Sequence, residues 1–134
     1  MITNIAHACF VVKDLERSIA FYRDGLGLVP AFDFKDEKGR RFGLYLKTGG
    51  RTFIELFKGE PAPTAPEKQS FRHICLEVDN IEATVKELSG RGVAVGEITL
   101  GSDESYQAWF KDPDGNEFEL HQYTPKSWQA PWLK

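Results

Sequence analysis

Ala6-His7-Ala8-Cys9-Phe10-Val11-Val12-Lys13-Asp14-Leu15-Glu16 and Arg72-His73-Ile74-Cys75-Leu76-Glu77-Val78-Asp79-Asn80-Ile81-Glu82 are one pattern written twice, at a constant offset of 66 residues. His, Cys, Val and Glu coincide in the two copies. An internal repeat makes each copy a supersecondary unit and gives every residue inside it a counterpart. At the same offset Leu15, Ile19 and Tyr22 fall on Ile81, Val85 and Leu88, the i, i+4, i+7 positions of one helical face. Asp14 and Asn80 stand just before these stripes as N-caps, and Gly25 and Gly90 are placed to stop the helices.

Further along, Lys47 to Leu56 covers Lys111 to Leu120 at an offset of 64, aligning Glu55-Leu56 with Glu119-Leu120 and Gly49-Gly50-Arg51 with the turn around Asp114-Gly115-Asn116. Each half therefore reads strand, helix, three strands: residues 5–12, 15–25, 30–35, 42–47 and 52–58, then 71–78, 81–90, 93–98, 105–111 and 116–123. A Pro-rich linker spans 58–70, with Pro61, Pro63 and Pro66. One helix per three strands implies an α+β domain built from a first module over about 5–58, a second over about 71–124 and a tail over 125–134.

The composition sets outer bounds. With 134 residues, 41% hydrophobic, and 17 basic against 20 acidic side chains, the chain is sized for a single domain with a core of its own. No stretch approaches the about 20 apolar residues of a membrane span. The start of the chain lacks a basic segment followed by an apolar one, so the expected location is cytoplasmic, with Cys9 and Cys75 as free thiols. The basic residues are scattered, which leaves no electrostatic footprint for nucleic acid. Small-molecule chemistry or protein contact remains.

Alternation along strands sorts the polar residues. Ala8, Phe10 and Val12 share one face of the first strand, and His7, Cys9 and Val11 the other. In the fifth strand, Ile74, Leu76 and Val78 oppose His73, Cys75 and Glu77. Ile54 and Leu56 oppose Phe53, Glu55 and Phe57, and Phe118 and Leu120 oppose Glu117, Glu119, His121 and Tyr123. The apolar sets suit the helices. If the half-sheets curl toward each other, His7, Glu55, His73 and Glu119 form a set of two imidazoles and two carboxylates. Such nitrogen and oxygen donors suit Ni, Co, Zn, Fe or Mn in an open, catalytic site, whereas structural zinc favours thiolates. A single strand His or Glu is more often solvated or hydrogen-bonded; the matched register in both halves is what points to a ligand set. The two cysteines have a rival claim as sulfur ligands, set against packing as small buried hydrophobes. His121 lacks a counterpart and reads as a supporting or surface residue.

His7 before Asp14-Leu15-Glu16-Arg17-Ser18-Ile19-Ala20-Phe21-Tyr22, then Gly25-Leu26-Gly27-Leu28, Phe71-Arg72-His73-Ile74 and Phe110-Lys111-Asp112-Pro113-Asp114-Gly115-Asn116-Glu117-Phe118-Glu119-Leu120 together resemble the vicinal oxygen chelate superfamily, the glyoxalase/bleomycin resistance/dioxygenase group. The likeness runs from Ile5 to Tyr123. It implies paired βαβββ modules forming a cupped, largely antiparallel mixed sheet around a divalent metal, held by His7, Glu55, His73 and Glu119. That ligand set looks most like glyoxalase I, the lactoylglutathione lyase. Small bacterial glyoxalases carry Arg and Asn where this chain has Val11 and Gly59, so the resemblance extends to the reaction class rather than to glutathione.

The implied chemistry is proton removal next to a carbonyl, with the ion stabilising the enediolate and Glu119 and Glu55 acting as acid and base. The alternatives are a methylmalonyl-CoA-type epimerase, a fosfomycin-type thiol transferase, and a drug- or metabolite-binding protein without turnover. Phe53, Phe57, Tyr106, Trp109 and His121 are the expected substrate contacts. A homodimer is expected, and the tail, with Trp128, Trp132 and Leu133, is expected to dock on a partner subunit or over the cavity mouth.

Overall fold

The computed structural model describes residues 1–61 and 70–133. The chain divides into two compact units, Met1–Pro63 and Thr64–Lys134. The first holds β1 (His7–Val12), α1 (Leu15–Ile19) running into a π-helical stretch (Ala20–Gly25), β2 (Val29–Lys35), β3 (Arg41–Gly49) and β4 (Thr52–Lys58). The second holds β5 (Ile74–Glu77), α2 (Ile81–Gly90), β6 (Thr99–Leu100), β7 (Tyr106–Lys111), β8 (Glu117–Gln122) and a 3-10 turn (Ala130–Trp132). The sheet orders are β1-β4-β3-β2 and β5-β8-β7-β6, the same order in both units. Each sheet is mixed: the β1–β4 and β5–β8 pairs are parallel, the rest antiparallel. The α+β class and the tandem βαβββ repeat are thus realised in topology as well as in residue pattern.

Both helices start where the caps stand. Asp14 Oδ1 accepts from Arg17 N at 3.0 Å, and Asn80 Oδ1 from Ala83 N at 2.9 Å; each such cap is worth about 1 kcal/mol. Leu15, Ile19 and Tyr22 are buried against Phe10, Val12, Leu44, Leu46, Ile54 and Leu56 in the first unit's core. Ile81 and Leu88 join Val93, Ala108, Phe110, Phe118 and Leu120 in the second. Each helix therefore covers one face of its own sheet and leaves the other face open. The turn between β7 and β8 closes on Gly115 at φ 86°, a left-handed conformation open to glycine. Asp112 Oδ1 accepts from Asp114 N and Asn116 N at 3.0 and 2.8 Å to hold that turn.

Four expectations are corrected. The first helix is not α-helical to residue 25: from Ala20 it widens into a π-helix, and Leu26 N bonds back five residues to Phe21 O at 2.9 Å. The strand expected over 93–98 does not form, because that segment makes one ladder-like bond, Gly96 N to Trp109 O at 2.8 Å, while Val93 turns into the core; the pairing strand is the short β6. The fifth strand begins at Ile74, so His73 stands at its mouth rather than inside it. Cys9 and Cys75 are exposed free thiols, not buried packing residues, since both lie on the face that the helices leave open. Of the Pro-rich linker, residues 62–69 lie outside the described residues.

Candidate metal centre

In the first unit the open face is ordered by strand register. His7 pairs with Phe53 and Cys9 with Glu55 across β1–β4, and Glu55 pairs with Tyr45 across β4–β3. His7 and Glu55 are thus diagonal neighbours on one face, within the reach of long side chains. The Tyr45 hydroxyl lies 2.8 Å from His7 Nδ1, which fixes the ring and leaves Nε2 as the nitrogen available for a ligand. Glu55 bonds the Cys9 thiol, whose pKa is pushed up to about 11, first by desolvation at the sheet surface and then by this carboxylate. Aromatic rings line much of the rest of the face. Tyr45 stacks on Phe32 at 4.8 Å and lies 5.0 Å from Phe53, while Phe57 packs on Phe34 and Phe42 at 5.0 and 6.0 Å. Gly43 makes room for this wall: a Cβ there would sit 2.6 Å from the Phe57 ring.

The second unit repeats the skeleton with other chemistry. Cys75 pairs with Glu119 and Glu77 with His121 across β5–β8, and Trp109 pairs with Glu119 across β7–β8. Glu119 is buried and is held at both oxygens: His73 Nε2 lies 3.2 Å from Oε2 and His121 Nδ1 2.8 Å from Oε1. Trp109 sets its edge against His73, with ring centroids 4.7 Å apart. Cys75, Glu119 and His121 bring ligand atoms within 4.8 Å of one another. The Cys75 thiol is pushed up to about 12 by desolvation and then by the Glu119 carboxylate, so it stands protonated at neutral pH. A hollow of about 350 Å³ lies beside Trp109, lined also by Ala94, Phe110, Lys111 and Glu117.

The expected site residues divide between the two units. His7 and Glu55 share the open face of the first sheet, with Phe53 and Phe57 beside them. His73 and Glu119 are in contact in the second, with Trp109 and His121 against them. Tyr106 leaves the set: it has the parity of Ala108 and Phe110, and its partner Gln122 accepts from the α2 amide of Ile81 at 2.7 Å, which marks the helix-covered face. His121 is not a surface residue; it is 8% exposed and bonded to Glu119.

Two residues that sequence reasoning passed over belong beside the site. The signal for Tyr45 was the offset of 64, which places it on Trp109. For Asp103 there was none, because it stands in a loop outside the repeat. Its Oδ2 lies 3.8 Å from His121 Nε2, and the Gln129 amide donating to it, followed by Ser105, holds its carboxyl below the usual range.

The tail bonds its own unit. Trp128 N donates to Asp103 O at 3.0 Å and Ser127 Oγ meets Ser105 Oγ at 2.8 Å, while Trp128 and Trp132 remain exposed. The contacts of the tail within its own unit are thus made to the 101–105 loop through Ser127, the Trp128 amide and Gln129. Among the described residues no helix is long and apolar enough to cross a membrane.

Comparison with known proteins agrees with this architecture. Residues 4–120 match the family model for the Glyoxalase/Bleomycin resistance protein/Dioxygenase superfamily. A metallothiol transferase, FosB of Staphylococcus epidermidis, is 32% identical over 93% of this chain and 85% of its own. A probable lactoylglutathione lyase of Synechocystis is 30% identical over 91% of this chain and 97% of its own. Among solved structures, that of SMU.1112c superposes with a TM-score of 0.79 at 28% identity, covering 90% of this chain and 99% of that one. The repeat, the sheet order and the family match together identify the chain as a member of the glyoxalase/bleomycin resistance protein/dioxygenase superfamily.

Proposed function

We propose that this protein is a divalent-metal-dependent enzyme of the glyoxalase I type, a lyase or isomerase that moves a proton next to a substrate carbonyl. His7, Glu55, His73 and Glu119 are the proposed ligands, and a homodimer is the proposed working form. The carrying observation is Glu119: a buried carboxylate with an imidazole nitrogen 3.2 Å from one oxygen and a second imidazole 2.8 Å from the other. The donor set fits a borderline ion such as Ni, Co, Zn, Mn or Fe, since it offers imidazole nitrogen and carboxylate oxygen. A bound ion supplies Lewis-acid stabilisation of the negative charge that develops on the substrate oxygens.

The chain's own residues do the rest. Glu119 and Glu55 are the proposed acid and base, one accepting the carbon-bound proton and the other returning a proton to the same or the neighbouring carbon. Tyr45 orients His7, and the aromatic wall of Phe32, Phe34, Phe53 and Phe57 excludes water from one side of the substrate. Phe53, Phe57, Trp109 and His121 are retained as proposed substrate contacts. Val11 and Gly59, close enough that a Cβ on Gly59 would lie 2.8 Å from Val11 Cγ1, carry no charge for a peptide carboxylate, which speaks against glutathione as the carrier.

The similarity to a metallothiol transferase sustains thiol transfer to an epoxide as the second reading. The test is a panel of hemithioacetals of charged and uncharged thiols, acyl-CoA thioesters and fosfomycin, each with Ni, Co, Zn and Mn. Solvent deuterium entering the product of a hemithioacetal or thioester supports proton transfer; adduct formation with fosfomycin alone overturns it in favour of the second reading.

A further inference from the structure

A chain of contacts leads from the C-terminal segment to Glu119 and is used by nothing described so far. The 101–105 loop is held in an unfavourable shape, with Glu104 at φ 64°, a left-handed conformation that a side chain rarely adopts. The segment 124–129 clamps it there. Thr124 Oγ1 donates to Glu104 O at 2.8 Å, Trp128 N to Asp103 O at 3.0 Å, and Gln129 Nε2 to Asp103 Oδ2 at 2.6 Å. Ser105 N donates to the other oxygen, Oδ1, at 3.2 Å, and Gly101 leaves it room, since a Cβ at 101 would lie 2.8 Å from that atom. The aspartate thus has a fixed position, and it faces His121.

His121 is the link. Its Nε2 is buried and makes no hydrogen bond, with Asp103 Oδ2 3.8 Å away, while its Nδ1 reaches Glu119 Oε1. A buried imidazole is not left half-bonded between two carboxylates without consequence, because its ring position then depends on both. With Oε1 tied to His121, the Oε2 side of Glu119 is turned to His73.

We propose that the C-terminal segment is a working part of the metal centre: through Gln129 and Asp103 it positions His121, and through His121 it fixes the orientation in which Glu119 ligates. Asp103, His121 and Gln129 are positioning residues, and the inference rests on the metal-binding reading above. Partners of this outer kind typically change metal affinity by about 10- to 100-fold. The fold repeat underlines the point. The position that matches His121 in the first unit is Phe57, so Glu55 has no such tether.

The experiment is calorimetric titration of the full-length, metal-free protein with Co(II), with thermal midpoints measured alongside. His121→Leu is expected to weaken binding about 10- to 100-fold. Gln129→Ala, which removes only the clamp on Asp103, is expected to weaken it several-fold, as is Gly101→Ala, which displaces the Asp103 carboxylate. His121→Gln keeps a side-chain donor for Glu119 and is expected to recover most of the loss. Wild-type affinity in Gln129→Ala and Gly101→Ala overturns the inference, whatever becomes of His121→Leu, and so does His121→Gln binding as weakly as His121→Leu at equal thermal midpoints. Failure of the wild type itself to bind Co(II) removes the metal reading instead, and is thereby told apart.

Discussion

The two units share a skeleton and differ in what they hang on it. Each has the same sheet order, a capped helix on one face, and a Cys–Glu pair in register on the other: Cys9 with Glu55, Cys75 with Glu119. Around Glu55 the neighbours are rings; around Glu119 they are imidazoles. Glu55 is bonded to a thiol, whereas Glu119 is 8% exposed and bonded at both oxygens. The repeated fold thus supplies matching positions, and the residues at them give the two faces different chemistry. One face offers a largely aromatic wall around His7 and Glu55, the other a polar network around one carboxylate.

That asymmetry predicts unequal responses to equal mutations. Glu119→Gln should lower kcat/KM by about 10²- to 10⁴-fold, the span expected for loss of a general base, and Glu55→Gln by less; steady-state assay of the best substrate from the panel decides, and equal losses would make the two carboxylates interchangeable. On the structural side, Gly43→Ala drives a Cβ to 2.6 Å from the Phe57 ring and 2.9 Å from Leu56 O, so unfolding in urea should show a loss of about 1–3 kcal/mol. The matching residue in the second unit is Gln107, which has a side chain already, so Gln107→Ala should be nearly silent.

A third pair sharpens the ring contacts. Tyr45→Phe removes the group bonded to His7 and should weaken Co(II) binding about tenfold, while Trp109→Phe, which keeps an aromatic edge near His73, should leave it close to wild type. The smallest effect concerns acid. The lowered carboxyl of Asp103 stabilises the fold while it is ionised, fully so above the unfolded value of about 3.9, and this is lost as pH falls through its lower native value. The thermal midpoint of the wild type should therefore exceed that of Asp103→Asn at neutral pH and converge on it below that range.

Much of this was legible in the residues, for a physical reason. Strand alternation and the helix stripe are local and strictly periodic, so His7, Glu55, His73 and Glu119 could be assigned to open faces from spacing alone. The repeat did the rest, since two weak patterns in matching register constrain each other. What stayed hidden was non-periodic. The π-helical widening after Ile19 and the short β6 at Thr99–Leu100 leave no periodic mark in the residues. Asp103 and Gln129 meet only because a strained loop and a tail fold together, a contact between segments with no repeat and no alternation to read. Tyr106 was named with Trp109 as an aromatic residue, and only the ladder showed that the two lie on opposite faces of the strand.

The central claim is that Glu119 anchors a bound divalent ion. It is tested most directly by elemental analysis of the protein purified without chelator, wild type beside Glu119→Gln. The account predicts a stoichiometric divalent metal in the wild type and its loss in the variant; a wild type without stoichiometric metal, or a variant that keeps it, would contradict the claim.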